Sequence, residues 1–238
     1  IKEGVPLTRG GFYKSHPRFS PDGRRLVFTR ADGHQLTRLV DLDVSEPSKE
    51  RELLSCRGGC GRFDFSRDGQ HIWMSSGRHY RRVNFYRELI EIGATEKSSM
   101  GDARVVTQGA RFGQLTSERT GARVWGIASS WGRTWIEARS PRDGRVLFSW
   151  RPAGYERVSD PVPTSKGDAV FFSMHAKGNQ DLYRYSLADK QLERLTYGAS
   201  IEFDLRLTPD GRWLLYTSDV DDVYNIYARE VATGKTVR

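Results

Sequence analysis

Short runs of apolar residues alternate with polar breaks along the whole of this sequence. The run at 24–29 is followed by similar runs at 71–75, 122–128, 169–174 and 212–217, and these runs are rich in β-branched and aromatic residues. Gly and Asp stand at their ends, which is typical of β-strands bounded by turns. No segment shows a sustained helical period of apolar residues. The pattern therefore predicts an all-β chain.

A tight turn precedes each of these strands. In the first turn, Pro21 fixes the backbone of the second position, the Asp22 carboxylate can bond the local backbone, and Gly23 tolerates a positive φ. Related turns end at four further glycines, although the third has Arg119 and Thr120 in place of Pro and Asp. The turn glycines are 44 to 52 residues apart, at Gly23, Gly69, Gly121, Gly167 and Gly211.

A repeat of this length is the signature of propeller blades. Three stretches carry a closer resemblance: SHPRFSPDGRRLVFTR at 15–30, QDLYRYSLADKQLERLT at 180–196 and RLTPDGRWLLYTSDVDDVYNIYAREVATGK at 206–235. They resemble the TolB-like β-propeller repeat, in which an SPDG turn, an apolar strand, a hairpin, an "IY" strand and a closing "LT" follow one another. The resemblance implies a β-propeller of four-stranded antiparallel blades, with five repeats visible and a sixth if the sequence is part of a longer chain.

The repeat also predicts where the blades begin and end. We expect one propeller domain over 1–238, in which an outer strand at 1–8 helps to close the ring. Two arrangements of the chain ends stay open, because the ends can share the last blade or a further blade can lie outside this sequence. The predicted blades are 10–55, 61–108, 110–150, 152–197 and 198–238, and the second carries a surface loop at 93–101.

The composition suits a folded protein with a basic surface. The 238 residues include 38 Lys and Arg against 30 Asp and Glu, a net charge of +8, and 37% of the residues are hydrophobic. A positive charge of this size favours anionic partners and acts on association rather than on the fold. No apolar run is long enough to span a bilayer, so we expect no membrane-spanning segment. The sequence begins at Ile1 without a leader, so either a targeting segment has been removed or a longer chain precedes it.

Only two cysteines are present, Cys56 and Cys60, with Gly58 and Gly59 between them. In an oxidising compartment they can form a small disulfide, and in a reducing one they remain free thiols. A zinc site would need two further ligands, which the sequence does not supply nearby. We predict the disulfide in preference to the thiols, and no metal site.

The residue patterns of common enzyme classes are missing. There is no Gly-x-Ser-x-Gly elbow, no pair of histidines at positions i and i+4, and no phosphate-binding glycine loop. The segment from Asp219 to Asn225 looks superficially like a calcium loop, but its sixth position is Tyr224 instead of the required glycine. A solvated acidic hairpin is therefore the favoured interpretation. The sequence predicts no cofactor and no catalytic residues.

Cationic and aromatic residues gather at one end of the predicted blades. In a four-stranded blade the hairpin between the second and third strands lies at the same end as the link to the next blade. Arginine combined with tyrosine or tryptophan is typical of binding hot spots. We predict that this end binds a protein partner through an acidic segment, centred on 78–82, and we regard nucleic acid as the less favoured ligand. The predicted partner-binding residues are Arg78, His79, Tyr80, Arg81, Arg82, Trp131, Arg133, Tyr155 and Arg157.

The TolB-like resemblance implies a range of functions, because such propellers serve as periplasmic assembly factors, as envelope binding modules and as gating domains of prolyl-oligopeptidase-type peptidases. The first expectation is a non-catalytic protein-binding scaffold, periplasmic or otherwise exported, in a bacterial envelope complex or another multiprotein assembly. The alternative is the substrate-access propeller of a peptidase whose hydrolase domain lies outside this sequence.

Overall fold

The computed structural model describes residues 6–10, 12–31, 36–57, 59–80, 84–95 and 97–238. Within the strands, residues 36, 57, 78–80, 84 and 85 are described by their backbone only. These parts of the chain contain twenty strands and no helix, and the strands form five four-stranded antiparallel sheets in sequential order. The predicted fold class, a β-propeller with four-stranded blades, is confirmed.

The chain divides into two compact units, Ile1–Gly113 and Gln114–Arg238. The first unit holds blades 1 and 2. Blade 1 consists of β1 (Tyr13–Phe19), β2 (Arg25–Ala31), β3 (Leu36–Asp43) and β4 (Glu50–Arg57). Blade 2 consists of β5 (Cys60–Phe65), β6 (His71–Tyr80), β7 (Asn84–Gly93) and β8 (Arg104–Val105).

The second unit holds blades 4 and 5 and nearly all of blade 3. Blade 3 consists of β9 (Phe112–Ser117), β10 (Val124–Ser130), β11 (Arg133–Arg139) and β12 (Val146–Trp150). Blade 4 consists of β13 (Arg157–Pro163), β14 (Ala169–Ala176), β15 (Asn179–Ser186) and β16 (Leu192–Arg194). Blade 5 consists of β17 (Glu202–Leu207), β18 (Trp213–Ser218), β19 (Asn225–Glu230) and β20 (Thr236–Val237).

The strands lie within 10–55, 61–108, 110–150, 152–197 and 198–238, except that β4 runs on to Arg57 and β5 begins at Cys60. The proposed closing strand at 1–8 stays a prediction, because residues 1–5 lie outside the described residues and residues 6–8 belong to no strand. The predicted surface loop after β7 is anchored at its start, since Ala94 is fully buried and its carbonyl oxygen accepts a hydrogen bond from Arg25. Further along, the Ser98 amide donates to the Leu53 carbonyl at 2.8 Å.

The glycine turn, which joins the first and second strands of each blade, is held by side-chain hydrogen bonds. In blade 1 the Ser20 hydroxyl donates to Asp22 at 2.5 Å, and the Arg25 amide donates to the Ser20 hydroxyl at 3.0 Å. The first of these bonds, together with one from the Arg24 amide, holds the pKa of the Asp22 carboxyl below its usual value.

In two blades the turn begins one residue away from the nearest serine. In blade 4 the position of Ser20 is taken by Thr164, whose carbonyl accepts the Gly167 amide, and not by Ser165. In blade 3 it is taken by Glu118, whose carbonyl accepts the Gly121 amide, and not by Ser117. The spacing from the glycine therefore defines the turn better than the presence of a serine.

Apolar side chains fill the space between successive blades of each unit. In the first unit Leu39 and Leu54 of blade 1 pack with Phe63 and Met74 of blade 2, all fully buried. Each such burial stabilises the fold by roughly 1.5–3 kcal/mol. In the second unit one cluster joins blades 3 and 4 and another joins blades 4 and 5, and their members include Trp125, Ile136, Phe172, Leu182, Leu205 and Leu214.

Candidate functional site

The hairpin end of blade 3 carries an exposed tryptophan on a tight turn. Trp131 and Gly132 join β10 to β11, and both have a positive φ, 51° and 74°. Because Ser130 pairs with Arg133 across them, they are the two central residues of a type I′ turn. Such turns favour Asn, Asp and Gly, and a bulky residue is strained there. The Trp131 side chain is 93% exposed, so packing within the chain does not offset that strain.

Arg133 lies beside this turn and is held by two contacts from the link to blade 4. Its guanidinium lies 4.9 Å from the centre of the Tyr155 ring, and it donates a hydrogen bond to the Gly154 carbonyl at 3.1 Å. Tyr155 is itself 83% exposed. The two contacts restrict the arginine while its charge stays in contact with solvent.

A second arginine, Arg151, stacks on Trp135 with its guanidinium 4.0 Å from the ring centre. Trp135 is held in place from behind, because its indole N–H donates to Glu137 at 2.7 Å. The other carboxylate oxygen of Glu137 pairs with Arg139 at 2.6 Å. Glu137 and Arg139 therefore fix the ring on which Arg151 rests.

These side chains surround a groove with a volume of about 460 Å³. Within the chain as described, neither Arg133 nor Arg151 forms an ion pair with a carboxylate. The acidic group nearby, Glu156, accepts the Gly154 amide at 2.9 Å. The residues that line the groove, called here the blade 3 groove, are Ser130, Trp131, Arg133, Thr134, Trp135, Arg151, Pro152 and Gly154.

The structure brings together part of the predicted binding set. Trp131 and Arg133 line the blade 3 groove, and Tyr155 lies beside it in contact with Arg133. Arg157 is an exposed residue at the start of β13, opposite His175, and does not line the groove. Trp135 and Arg151, which also line the groove, are not among the nine predicted partner-binding residues. Trp135 was detectable, because residues two apart on a strand point to the same side, and it follows Arg133 at that spacing.

The predicted centre of the binding surface is only partly described. Strand β6 runs on to Tyr80 instead of ending near Ser75, so Arg78, His79 and Tyr80 belong to a strand that pairs with β7. Their side chains, and all of Arg81 and Arg82, lie outside the described residues. Their part in binding remains a prediction.

The acidic hairpin of blade 5 uses its carboxylates within the blade. Asp219 accepts the Ile201 amide at 2.7 Å, and Asp221 accepts the Tyr227 hydroxyl at 2.6 Å and pairs with Arg238 at 3.3 Å. In the parts of the chain that the structure describes, no three His, Cys, Asp or Glu side chains are grouped so as to hold a metal ion. Nor does this part contain a helix of the length and hydropathy needed to cross a membrane.

Cys56 and Cys60 are joined by a disulfide, and their α-carbons lie 5.3 Å apart. The bond closes the short link between β4 and β5. The Cys60 amide donates to the Thr37 hydroxyl at 2.5 Å, so the same link is also tied to blade 1.

Comparison with known proteins identifies the fold. No protein-family model matches the chain, and no curated protein matches it by sequence. A TolB-type protein from Agrobacterium tumefaciens superposes with a TM-score of 0.77 and 17% identity, over 97% of this chain and 82% of that one. TolB from Acinetobacter baumannii gives a TM-score of 0.78 and 13% identity, over 97% of this chain and 55% of that one. This chain has the fold of a TolB-like β-propeller.

The TolB-like fold is shared with parts of larger enzymes. A puromycin-hydrolyzing peptidase from Mycobacterium tuberculosis superposes with a TM-score of 0.66 and 17% identity, and the match covers 98% of this chain but only 39% of the peptidase. Identities this low establish the fold and leave the function to be argued from the site.

Proposed function

We propose that this chain is a non-catalytic protein-binding scaffold, exported and part of a bacterial envelope complex or another multiprotein assembly. The observation that carries the proposal is the blade 3 groove, in which an exposed Trp131 stands beside two stacked arginines that have no carboxylate partner among the described residues. Likeness to TolB structures supports it at the level of the fold.

The chemistry of the groove suits a protein partner. Tryptophan, tyrosine and arginine supply most of the binding energy in many interfaces, because they combine large contact area with directed hydrogen bonds. Arg133 and Arg151 are already restricted by stacking, so less side-chain entropy is lost when a partner binds. Arg133 begins β11 and Arg151 directly follows β12, which pairs with β11, so the two arginines are attached to neighbouring strands of one blade.

The disulfide between Cys56 and Cys60 supports the exported location, because disulfides persist in oxidising compartments and are rare in the cytosol. Alkylation of the protein in intact source cells, followed by mass spectrometry, tests this point. We expect no alkylated cysteine unless a reductant is added first. Two alkylated thiols in untreated cells would contradict export.

The second candidate is a substrate-access propeller of a peptidase. The peptidases among the similar structures favour it. In such a peptidase, this chain would form one domain. The complete reading frame distinguishes the two candidates, because a peptidase gene continues into a hydrolase domain. A hydrolase domain fused to this propeller would contradict the scaffold proposal.

Site-specific photo-cross-linking tests the binding role directly. A photoreactive amino acid replaces Trp131 in one variant and Arg119 in another, and the proteins are expressed in the source cells. Arg119 is a matched control, because it is exposed and lies in the glycine turn at the opposite end of the same blade. We expect a discrete protein adduct at position 131 and none at position 119. Equal labelling at both positions, or none at either, would refute the proposal.

A further inference from the structure

We infer that the blade 3 groove recognises an acidic side chain that is flanked by an aromatic or large aliphatic one in an extended segment of a partner protein. This inference rests on the proposed binding role and adds the chemistry of the ligand. Three features of the groove carry it: the strained exposed tryptophan, the two guanidinium groups that pair with no carboxylate of the described residues, and the size of the cavity.

Trp131 is the apolar element of the site. Its backbone conformation favours Asn or Gly, and its side chain gains almost no burial within the chain. A large apolar residue that has an unfavourable backbone conformation and is also exposed to solvent points to a role outside folding. An indole plane at the rim of a groove offers a flat surface on which an aromatic or aliphatic side chain packs.

Arg133 and Arg151 are the acidic-group receptors. Each guanidinium uses one face for an aromatic ring, at 4.9 Å and 4.0 Å from the ring centre, and its N–H edges stay available except for one bond from Arg133 to Gly154. Guanidinium edges bind carboxylates through paired hydrogen bonds. Two such groups lie in one groove, and no described side chain neutralises their positive charge. A carboxylate of the partner would compensate it.

The size of the groove selects a short segment. A volume of about 460 Å³ lies in the range of pockets that enclose small ligands, roughly 300 to 1,000 Å³. It therefore admits a few side chains of an extended segment and excludes a folded surface. Single-stranded nucleic acid is the less favoured ligand, because its binding sites place cations and several rings along a continuous track. Here the Glu156 carboxylate lies against Gly154, one of the lining residues.

Selection from a displayed library of random dodecapeptides tests the inference. We expect the native chain to enrich peptides in which Asp or Glu adjoins an aromatic or large aliphatic residue. The variants Trp131→Asn and Arg151→Gln should lose this enrichment. Lys177→Asn is the matched control, since Lys177 and Gly178 form the corresponding positive-φ turn of blade 4, and it should enrich the same peptides.

The best peptide is then synthesised and its affinity measured. Replacing its acidic residue with the amide should weaken binding at least tenfold, and Arg151→Lys should also weaken it, because lysine keeps the charge but loses the planar stacking. Enriched peptides without acidic residues, peptides that do not depend on Trp131, an empty selection, or tighter binding of oligothymidylate would each overturn the inference.

The experiments distinguish failure of the binding role from failure of the ligand chemistry. If the library shows no acidic preference while the cross-link at position 131 to a protein persists, the ligand chemistry is wrong and the binding role stands. If neither a cross-link nor a dependent peptide appears, both are wrong.

Discussion

Trp131 occupies a backbone position that most side chains avoid, so stability and the proposed binding role make opposite demands on it. Replacement by Asn, which tolerates the left-handed region, should raise the free energy of unfolding by about 0.5–1 kcal/mol. Urea denaturation of the two proteins measures the difference. Lys177→Asn should stabilise by a similar amount, because its turn has the same geometry.

If Trp131→Asn instead destabilised the chain, the indole would have a structural role and the case for binding would lose its main support. If it stabilised the chain and also reduced peptide binding, the residue would be retained at a cost in stability. Lys177→Asn separates the two effects, since it changes stability without touching the groove.

Two buried carboxylates predict opposite dependence of stability on pH. Burial raises the pKa of Glu202 above its ordinary value of 4.5, the charge of Asp181 adds to this, and hydrogen bonds from Ser200, Thr196 and Ser218 oppose it. A raised pKa in the folded state contributes stability that is fully present below the ordinary value and is lost as the pH rises through the raised value. Glu202→Gln should therefore remove part of the loss of stability on going from about pH 4 to about pH 8.

Glu118 is the matched case of the opposite sign. Burial raises the pKa of its carboxyl, but hydrogen bonds from Arg123, Thr120 and Trp125 outweigh burial and lower it. The contribution of Glu118 to the stability of the fold is present above the ordinary pKa of 4.5 and is lost on acidification. Glu118→Gln should therefore destabilise the chain at neutral pH. Urea midpoints measured across the pH range check both variants. Parallel pH profiles for the two would refute the assignment.

At the scale of strands and turns, close packing between β5 and β6 leaves no room for a side chain at Gly61. A Cβ there would overlap the carbonyl oxygen of Ser75 and meet Arg87. Gly61→Ala should therefore lower the free energy of unfolding by about 3 kcal/mol. Gly93→Ala is the control, because Gly93 ends strand β7 with no neighbour closer than 4.0 Å, and it should be nearly neutral. Equal unfolding midpoints for the two variants would contradict this packing.

The strands and turns were predictable because each rests on local chemistry. An Asp-Gly pair such as Asp22 and Gly23 forms the same type of turn in each repeat that contains it. Alternation of apolar and polar residues marks the strand that follows. Irregular first strands were not predictable in this way. His16, Gln114, Asp160 and Asp204 all have a positive φ seven residues before the turn glycine. Neither turn chemistry nor alternation signals such a bulge. Alignment of the repeats does show a polar residue at the same distance before each turn glycine.

Contacts between blades explain why these bulges hold. The Asp160 amide donates to the Gln114 side chain at 2.8 Å, and the Asp204 amide donates to the Asp160 carboxylate at 3.2 Å. A residue in one repeat thus satisfies the backbone of the next, a relation that depends on tertiary structure. The blade 3 groove was missed in part for the same reason, since Arg151 reaches Trp135 from a different segment of the chain.

For the molecule as a whole, the charge of +8 predicts how binding responds to salt. Replacing Arg78, Arg81 and Arg82 together with Glu should leave the fold intact and weaken binding of the native partner by an order of magnitude or more, about 1.4 kcal/mol per decade. The effect should act mainly on the association rate and fade as salt increases. Stopped-flow association at low and high salt measures it. Normal binding by this variant at low salt would exclude these arginines from the interface.

The two-residue turn at Trp131 and Gly132 has an evolutionary consequence. An unbroken ladder of pairs runs from Val124 and Arg139 to Ser130 and Arg133, so the hairpin is complete without the turn side chains. Selection can therefore change the exposed residue without disturbing the register of the blade. Among related chains that bind different partners, we expect the residue at position 131 to diverge while Gly132 and the paired strands beneath it stay the same.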